Sequence, residues 1–220
     1  MKKTKMKGFI AGIALAVSGF SHAAIIDIGF TIDGDTFSQP WSVSNNSEDG
    51  ILLESFVFDL RPLATYCYDT GSVAGCSGST GPDFSPLSGN IDTGFTTANI
   101  TNQAGGLDFN DFLQINFSDF GFGEVFSWEL DVDSVATPTV YGNELIGSQV
   151  YAQMSDGNVY YGQLESVDGN SDAASFVISA VSDSSIEDLV NEVPEPSTLA
   201  LFALSVIGVR VFARKLKMPV

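Results

Sequence analysis

The sequence predicts an all-β domain, a two-sheet sandwich or jelly roll, over residues 24–181. Short segments rich in Val, Ile, Phe, Tyr and Trp recur along this part of the chain, and clusters of Gly, Asn, Asp, Ser and Pro separate them. No long stretch with apolar residues at helical spacing occurs before residue 184. Many short strands joined by turns at even spacing are typical of sandwiches and jelly rolls.

Eight segments are predicted as strands, in chain order Ile25–Thr31, Phe37–Val43, Ile51–Leu60, Phe112–Phe117, Val125–Val132, Glu144–Met154, Val159–Val167 and Ala174–Val181. In the fifth, every second residue from Phe126 to Val132 is apolar, which suits one wall of a sandwich. Asp156-Gly157 in the short gap before Val159 predicts a hairpin turn. Residues 61–103, rich in Gly, Ser, Thr and Pro, form either a long loop or short irregular strands.

Residues 1–23 have the three parts of a secretory signal peptide. A lysine-rich start precedes an apolar stretch from about Phe9 to Val17. Ser21-His22-Ala23 then supplies small residues at the −3 and −1 positions of a cleavage site, so the mature chain is predicted to begin at Ala24. An uncleaved membrane anchor would need about 20 apolar residues, more than this stretch provides.

The exported part of the chain is strongly acidic. Between Ala24 and Ser197 the only cation is Arg61, whereas all 27 Asp and Glu residues lie there, so the formal charge is 1 − 27 = −26. Such a surface repels phosphate backbones, which excludes nucleic acid as a partner. Because the only histidine, His22, lies in the signal peptide, catalytic triads and histidine metal sites are excluded as well. Carboxylate-pair chemistry of the glycosidase kind remains.

Cys67 and Cys76 are the only cysteines. An even pair, close in sequence and in an exported chain, favours a disulfide that closes a short loop. Metal binding and redox exchange are the rival interpretations. They are disfavoured because the domain has no histidine ligands and the spacing is not C-x-x-C.

Two pairs of acids are candidate calcium ligands. Asp131 and Asp133 are two residues apart, as are Asp33 and Asp35, and carboxylate oxygens in a loop suit Ca²⁺. In a strand, residues two apart share one face, so either pair could equally be polar surface. Asp131 and Asp133 are the predicted metal site.

Residues 182–192 are polar and acidic and are predicted as a linker, with a capping box at Ser185 and Asp188 opening a short helix.

The tail that follows has a rigid proline-flanked strip, Pro194-Glu195-Pro196, then an apolar segment and a basic cluster. The apolar segment, about residues 199–213, is predicted to be a transmembrane helix of about 22 Å. That length is short for a bilayer core of about 30 Å, which suits a transient anchor. The basic residues place the C-terminus in the cytoplasm.

This order of parts, over residues 193–217, resembles the PEP-CTERM sorting signal. The resemblance is carried by Pro194, Glu195, Pro196 and Ser197, by the apolar segment and by the Arg-Lys cluster. Arg210 inside the apolar segment and Met218-Pro219-Val220 after the basic cluster depart from the usual pattern. The resemblance implies processing by exosortase, an inner-membrane cysteine protease of Gram-negative bacteria that make exopolysaccharide. It also implies transient anchoring in the inner membrane before release to the cell surface or extracellular matrix.

The expected function is that of an exported, non-enzymatic surface or matrix protein associated with exopolysaccharide or biofilm. The alternative is a secreted carbohydrate-active enzyme that uses a carboxylate pair. Export, the acidic domain and the lack of histidine favour the first class. No cofactor is expected other than the candidate Ca²⁺.

Overall fold

The computed structural model describes residues 25–71, 75–103, 106 and 108–191, and the regular secondary structure of these residues is almost entirely β. Its strands are β1 (Ile28–Asp33), β2 (Trp41–Asn45), β3 (Leu53–Asp59), β4 (Tyr66–Asp69), β5 (Ser85–Ser88), β6 (Phe95–Thr101), β7 (Phe112–Phe120), β8 (Glu124–Glu129), β9 (Asp131–Ser134), β10 (Gln149–Met154), β11 (Val159–Val167) and β12 (Asn170–Ser182). Two 3-10 turns (Arg61–Leu63 and Gly142–Leu145) and helix α1 (Ile186–Asn191) complete the set. The all-β prediction is confirmed.

Ten strands form one sheet, in the order β5-β8-β2-β1-β12-β11-β10-β3-β7-β6, and β4 and β9 form a separate two-stranded sheet. Neighbouring strands are antiparallel throughout. The large sheet curls, because Phe30 of β1 lies 4.9 Å from Phe56 of β3 although three strands separate β1 from β3 in the sheet order. The two layers that enclose the core therefore belong to one continuous sheet.

An aromatic cluster fills the space inside the curl. Trp41 and Trp128 are directly opposite each other on β2 and β8, and both are fully buried. The Trp128 ring stacks on Phe30 with 6.0 Å between centroids and on Phe126 with 5.6 Å. The apolar face predicted from Phe126 to Val132 is thus the face that packs into the core.

Of the two alternatives for residues 61–103, a long loop or short strands, the second is correct, because β4, β5 and β6 all lie there. Two of the predicted strands each span parts of two elements. Val125–Val132 is interrupted at Leu130, which is buried between β8 of the large sheet and β9 of the small one. In Glu144–Met154, Glu144 caps a 3-10 turn by accepting a hydrogen bond from Tyr141 N at 2.8 Å, and the strand begins only at Gln149.

The hairpin of β10 and β11 is confirmed. Gln153 is opposite Val159 in the pair of residues nearest the turn, and Met154 N donates to Asn158 O at 3.0 Å across the turn. Gly157 has a φ of +88°, a left-handed conformation that glycine adopts without steric cost. The Asp-Gly signal in the sequence therefore marks the turn correctly.

The predicted short helix is α1, within the segment predicted as a linker. Ser185 N-caps it: the Ser185 hydroxyl donates to Asp188 at 2.8 Å and accepts from Asp188 N at 3.2 Å. Ile186 is buried in a small apolar cluster on the outer face of the sheet that includes Val57, Phe112 and Tyr151. Through this contact α1 packs directly on the β domain.

Among the described residues, no helix combines the length and the apolar character that a bilayer crossing requires. The predicted transmembrane helix at about 199–213, the sorting strip Pro194-Glu195-Pro196 and the signal peptide of residues 1–23 lie outside the described residues.

Candidate functional site

The small sheet of β4 and β9 places three aspartates on one face. In its antiparallel register Asp69 is opposite Asp131, and Cys67 is opposite Asp133. Because strand residues two apart share a face, these four side chains all lie on the same side. One carboxylate oxygen from each of Asp69, Asp131 and Asp133 lies within 4.8 Å of the other two. We call these three residues the aspartate cluster.

The opposite face of the small sheet is apolar and anchors the sheet to the core. Tyr68 and Val132 are opposite each other on that face, and both are fully buried in the main core. The Tyr68 hydroxyl donates a hydrogen bond to Phe58 O at 2.8 Å, which ties β4 to β3 of the large sheet. The alternation of apolar and acidic residues along β4 and β9 therefore fixes which way the aspartates point.

Residues 75–81 form a loop over the aspartate cluster, and the Cys67–Cys76 disulfide holds it there. The predicted disulfide is present, with Cα atoms 6.0 Å apart. Two glycines allow the loop to approach closely. A Cβ added at Gly75 would lie 2.9 Å from Asp69 Cβ, and one added at Gly81 would lie 2.8 Å from Asp131 Cβ. Side chains at these positions would push the loop away from the acids.

The loop supplies hydrogen-bond donors to two of the carboxylates. Gly75 N donates to Asp69 Oδ1 at 3.1 Å. The Ser79 hydroxyl lies 2.6 Å from Asp133 Oδ2 and 3.1 Å from Asp69 Oδ2, so it bridges the two strands. Ser77 also donates to Asp133 Oδ2. Asp133 Oδ1, by contrast, is buried without a hydrogen-bond partner.

Asp131 accepts its hydrogen bonds from residues outside the loop. Its Oδ1 accepts from the Thr36 hydroxyl at 2.9 Å and from Val132 N at 2.8 Å. Burial nevertheless raises the pKa of Asp131 to about 6, and the negative charges of Asp133 and Asp69 act in the same direction. Burial favours the uncharged form because a carboxylate loses hydration inside the protein. The cluster therefore holds its negative charge at an energetic cost.

The structure brings Asp131 and Asp133 together, as the metal prediction requires, and adds Asp69, which the sequence analysis missed. Cys67 and Asp69 are two residues apart, like Asp131 and Asp133. This spacing could have predicted Asp69 as a ligand only if the pairing of β4 with β9 had been known. Asp33 and Asp35 are not part of the cluster. Asp33 accepts from Asn170 at 2.8 Å, and Asp35 accepts from Phe37 N at 3.1 Å in its own turn.

A second buried charge lies at the end of β3. Arg61 Nε lies 2.9 Å from Asp59 Oδ1 and its terminal nitrogen lies 2.7 Å from Asp59 Oδ2, a bidentate ion pair. The guanidinium carbon is also 5.6 Å from the ring centroid of Phe112. The hydrogen bonds and negative charge of Asp59 raise the pKa of Arg61 above its ordinary value, although burial acts against this. The single Lys or Arg of residues 25–191 thus forms an ion pair with Asp59, which is not a member of the aspartate cluster.

We expect the Cys67→Ser/Cys76→Ser double variant to lower the free energy of unfolding by about 2–3 kcal/mol, because the unfolded chain regains the entropy of an open ten-residue loop. Urea unfolding of the variant and the oxidised protein measures this difference. The wild-type protein reduced with dithiothreitol is the matched control and should resemble the variant. Equal stability of the oxidised protein and the variant would contradict a stabilising role.

In the sequence, a proline-flanked strip, an apolar segment and a basic cluster follow the disulfide-bonded acidic β domain, and this order of parts indicates a sorting signal. The model of the PEP-CTERM protein-sorting motif matches residues 192–215. The chain therefore carries a PEP-CTERM protein-sorting motif, and the motif implies export and sorting by exosortase. No curated protein and no solved structure matches the chain.

Proposed function

We propose that the protein is a non-enzymatic component of the cell surface or extracellular matrix, retained there by association with exopolysaccharide. The observation that best supports this proposal is the sorting motif at residues 192–215, which follows a disulfide-bonded acidic domain in the sequence. A domain with a formal charge of −26 is soluble by self-repulsion. It therefore contacts neutral glycans directly and acidic glycans through divalent cations.

The aromatic side chains available to sugars differ from those that the composition suggests. Both tryptophans are fully buried and serve the core. The exposed aromatics include Phe37 at 59 % and Tyr141 at 41 % of their full surface. These two lie on adjacent segments, because Asp35 and Tyr141 form a β-bridge. Exposed rings on adjacent segments offer flat apolar faces of the kind on which sugars stack, which supports a role in glycan contact.

The arrangement of carboxylates favours this role over a glycosidase. Hydrolysis of a glycosidic bond uses two carboxyl groups about 5–9.5 Å apart, with the sugar between them. The aspartate cluster is at most 3 % exposed and lies under the loop of residues 75–81, so a sugar has no access to it. Two surface cavities of about 320 and 450 Å³ each have one carboxylate in their lining, from Glu187 and Asp168 respectively.

The proposal predicts that Glu195→Ala leaves export intact but strands the full-length protein in the inner membrane. The apolar segment and the basic cluster remain in this variant, so membrane anchoring is retained. The Pro-Glu-Pro strip that exosortase is expected to recognise has lost its negative charge. Intact-mass measurement of membrane and matrix fractions gives the result. Asp183→Ala, which removes an exposed charge outside residues 192–215, is the matched control and should be processed normally. Matrix-associated protein that still contains Arg214 and Lys215 would contradict sorting by cleavage.

A strain unable to make exopolysaccharide separates sorting from retention. There we expect the wild-type protein to be processed to the same mass but to appear in the medium rather than in the matrix fraction. Retention on cells that lack exopolysaccharide would refute the association with this polymer. A reducing-sugar assay on the purified protein tests the enzymatic alternative, and release of sugar from the polymer would support that alternative instead.

A further inference from the structure

The aspartate cluster concentrates negative charge that the protein does not neutralise. Asp69, Asp131 and Asp133 are 1 %, 3 % and 0 % exposed, and one oxygen from each lies within 4.8 Å of the others. The only Lys or Arg in residues 25–191 is Arg61, whose guanidinium pairs with Asp59. Buried carboxylates are costly unless they are paired, hydrogen-bonded or bound to a metal.

An independent observation is the state of Asp133. Its Oδ2 accepts hydrogen bonds from Ser77 and Ser79, but its Oδ1 is buried with no hydrogen-bond partner. An unsatisfied buried oxygen costs about 1–3 kcal/mol, and more when the group is charged. Because this carboxylate belongs to the cluster, the unused lone pairs of Oδ1 are available to a ligand that accepts electron density.

We infer that Asp69, Asp131 and Asp133 bind one Ca²⁺ ion that fastens the loop of residues 75–81 to the small sheet. The available ligand atoms are hard oxygens, which suit Ca²⁺, Mg²⁺ and Mn²⁺ rather than Zn²⁺ or copper. Both cysteines are joined in the disulfide and the domain has no histidine, so the exported chain offers neither a thiolate nor an imidazole ligand.

The spacing of the oxygens agrees with a single Ca²⁺ ion. Ca²⁺–oxygen distances are about 2.3–2.6 Å, so ligands on opposite sides of the ion lie about 4.6–5.2 Å apart. The cluster's oxygens lie within 4.8 Å of one another. Mg²⁺ requires shorter bonds in a near-ideal octahedron and gives up its waters reluctantly, so this all-protein face under a closed loop favours the larger ion.

Bound Ca²⁺ would add one more link between three parts of the fold that the Ser79 hydroxyl and the disulfide already hold together. Asp69 belongs to β4, Asp131 and Asp133 belong to β9, and Ser77 and Ser79 of the loop donate to the same carboxylates. Extracellular calcium modules bind with dissociation constants of about 0.1–1 mM. We expect an affinity in this range, because it matches a protein that functions outside the cytoplasm.

The first test measures binding to the wild-type protein. The protein, produced from the full-length chain with its disulfide intact, is stripped with EGTA and then titrated with CaCl₂ by calorimetry. We expect one ion per chain and, at about 10 mM Ca²⁺, a rise in Tm of about 5–10 °C. Tb³⁺ is a second probe, since the luminescence of the protein-bound ion should fall as Ca²⁺ displaces it.

The second test locates the ion. Asp133→Asn keeps the shape of the side chain but removes its charge, and it should abolish the Tm rise and weaken Ca²⁺ binding at least tenfold. Asp168→Asn removes an exposed charge on the β11–β12 turn and should respond like the wild type. Asp69→Asn, on the facing strand, is used if Asp133→Asn does not fold, with the same expected loss.

Two results would overturn the inference. If the wild type shows neither heat of binding nor a Tm shift up to 10 mM Ca²⁺, the aspartate cluster does not bind this ion. If Asp133→Asn and Asp69→Asn respond to Ca²⁺ as strongly as Asp168→Asn, the ion binds elsewhere on the acidic surface and the assignment to the cluster is wrong.

Discussion

Replacing Trp128 with alanine is expected to lower the free energy of unfolding by about 3–5 kcal/mol. The side chain is fully buried and contacts the rings of Phe30, Phe126 and Trp41, with centroids 6.0, 5.6 and 6.1 Å away. Its removal leaves a cavity between the two layers of the curled sheet. Urea unfolding followed by tyrosine fluorescence or circular dichroism measures the loss.

Trp128→Phe is the matched control for this prediction. Phenylalanine retains most of the ring contacts, and the buried indole Nε1 of Trp128 has no hydrogen-bond partner that the change would remove. We therefore expect a loss of less than about 2 kcal/mol. If Trp128→Ala and Trp128→Phe destabilise the protein equally, the core does not depend on the filling of this position.

The second large effect is expected at Arg61. In Arg61→Met, Asp59 keeps its charge but loses both bonds of the bidentate pair, and the Asp59 side chain is only 4 % exposed. Removing one partner of a buried pair costs about 3–5 kcal/mol. We expect about 3 kcal/mol, the lower end, because the Arg61 side chain remains 14 % exposed and is partly hydrated.

The double variant Arg61→Met/Asp59→Asn tests the cause of this loss. It removes the unpaired charge as well as the cation, so it should recover part of the stability lost in Arg61→Met. Equilibrium unfolding of both single variants and the double variant gives the interaction energy. A double variant less stable than Arg61→Met would show that Asp59 is stabilised by contacts other than Arg61.

The sequence predicts well those parts of the fold in which local pattern and burial coincide. β8, β10 and β11 show apolar residues at strand spacing, and Asp156-Gly157 marks the turn correctly. The three strands between residues 61 and 103 were left open because they are short and lie among Gly, Ser and Pro residues. β5, for example, contains Pro86 and is largely exposed at the edge of the sheet.

The aspartate cluster was only half predictable for a different reason. The spacing of Asp131 and Asp133 is a local feature, whereas their proximity to Asp69 depends on the pairing of strands more than 60 residues apart. The break at Leu130 has the same origin, because it marks the place where the chain leaves one sheet for another. Sequence periodicity describes a strand and its faces, but the choice of partner is set by the whole core.

The disulfide that closes the loop of residues 75–81 also makes maturation of the domain depend on location. Cytosolic thiols are kept reduced, so a chain that has not crossed the inner membrane lacks the Cys67–Cys76 bond. In that reduced state the loop is joined to the small sheet by hydrogen bonds alone. The disulfide therefore adds a covalent link between the loop and the small sheet only after translocation.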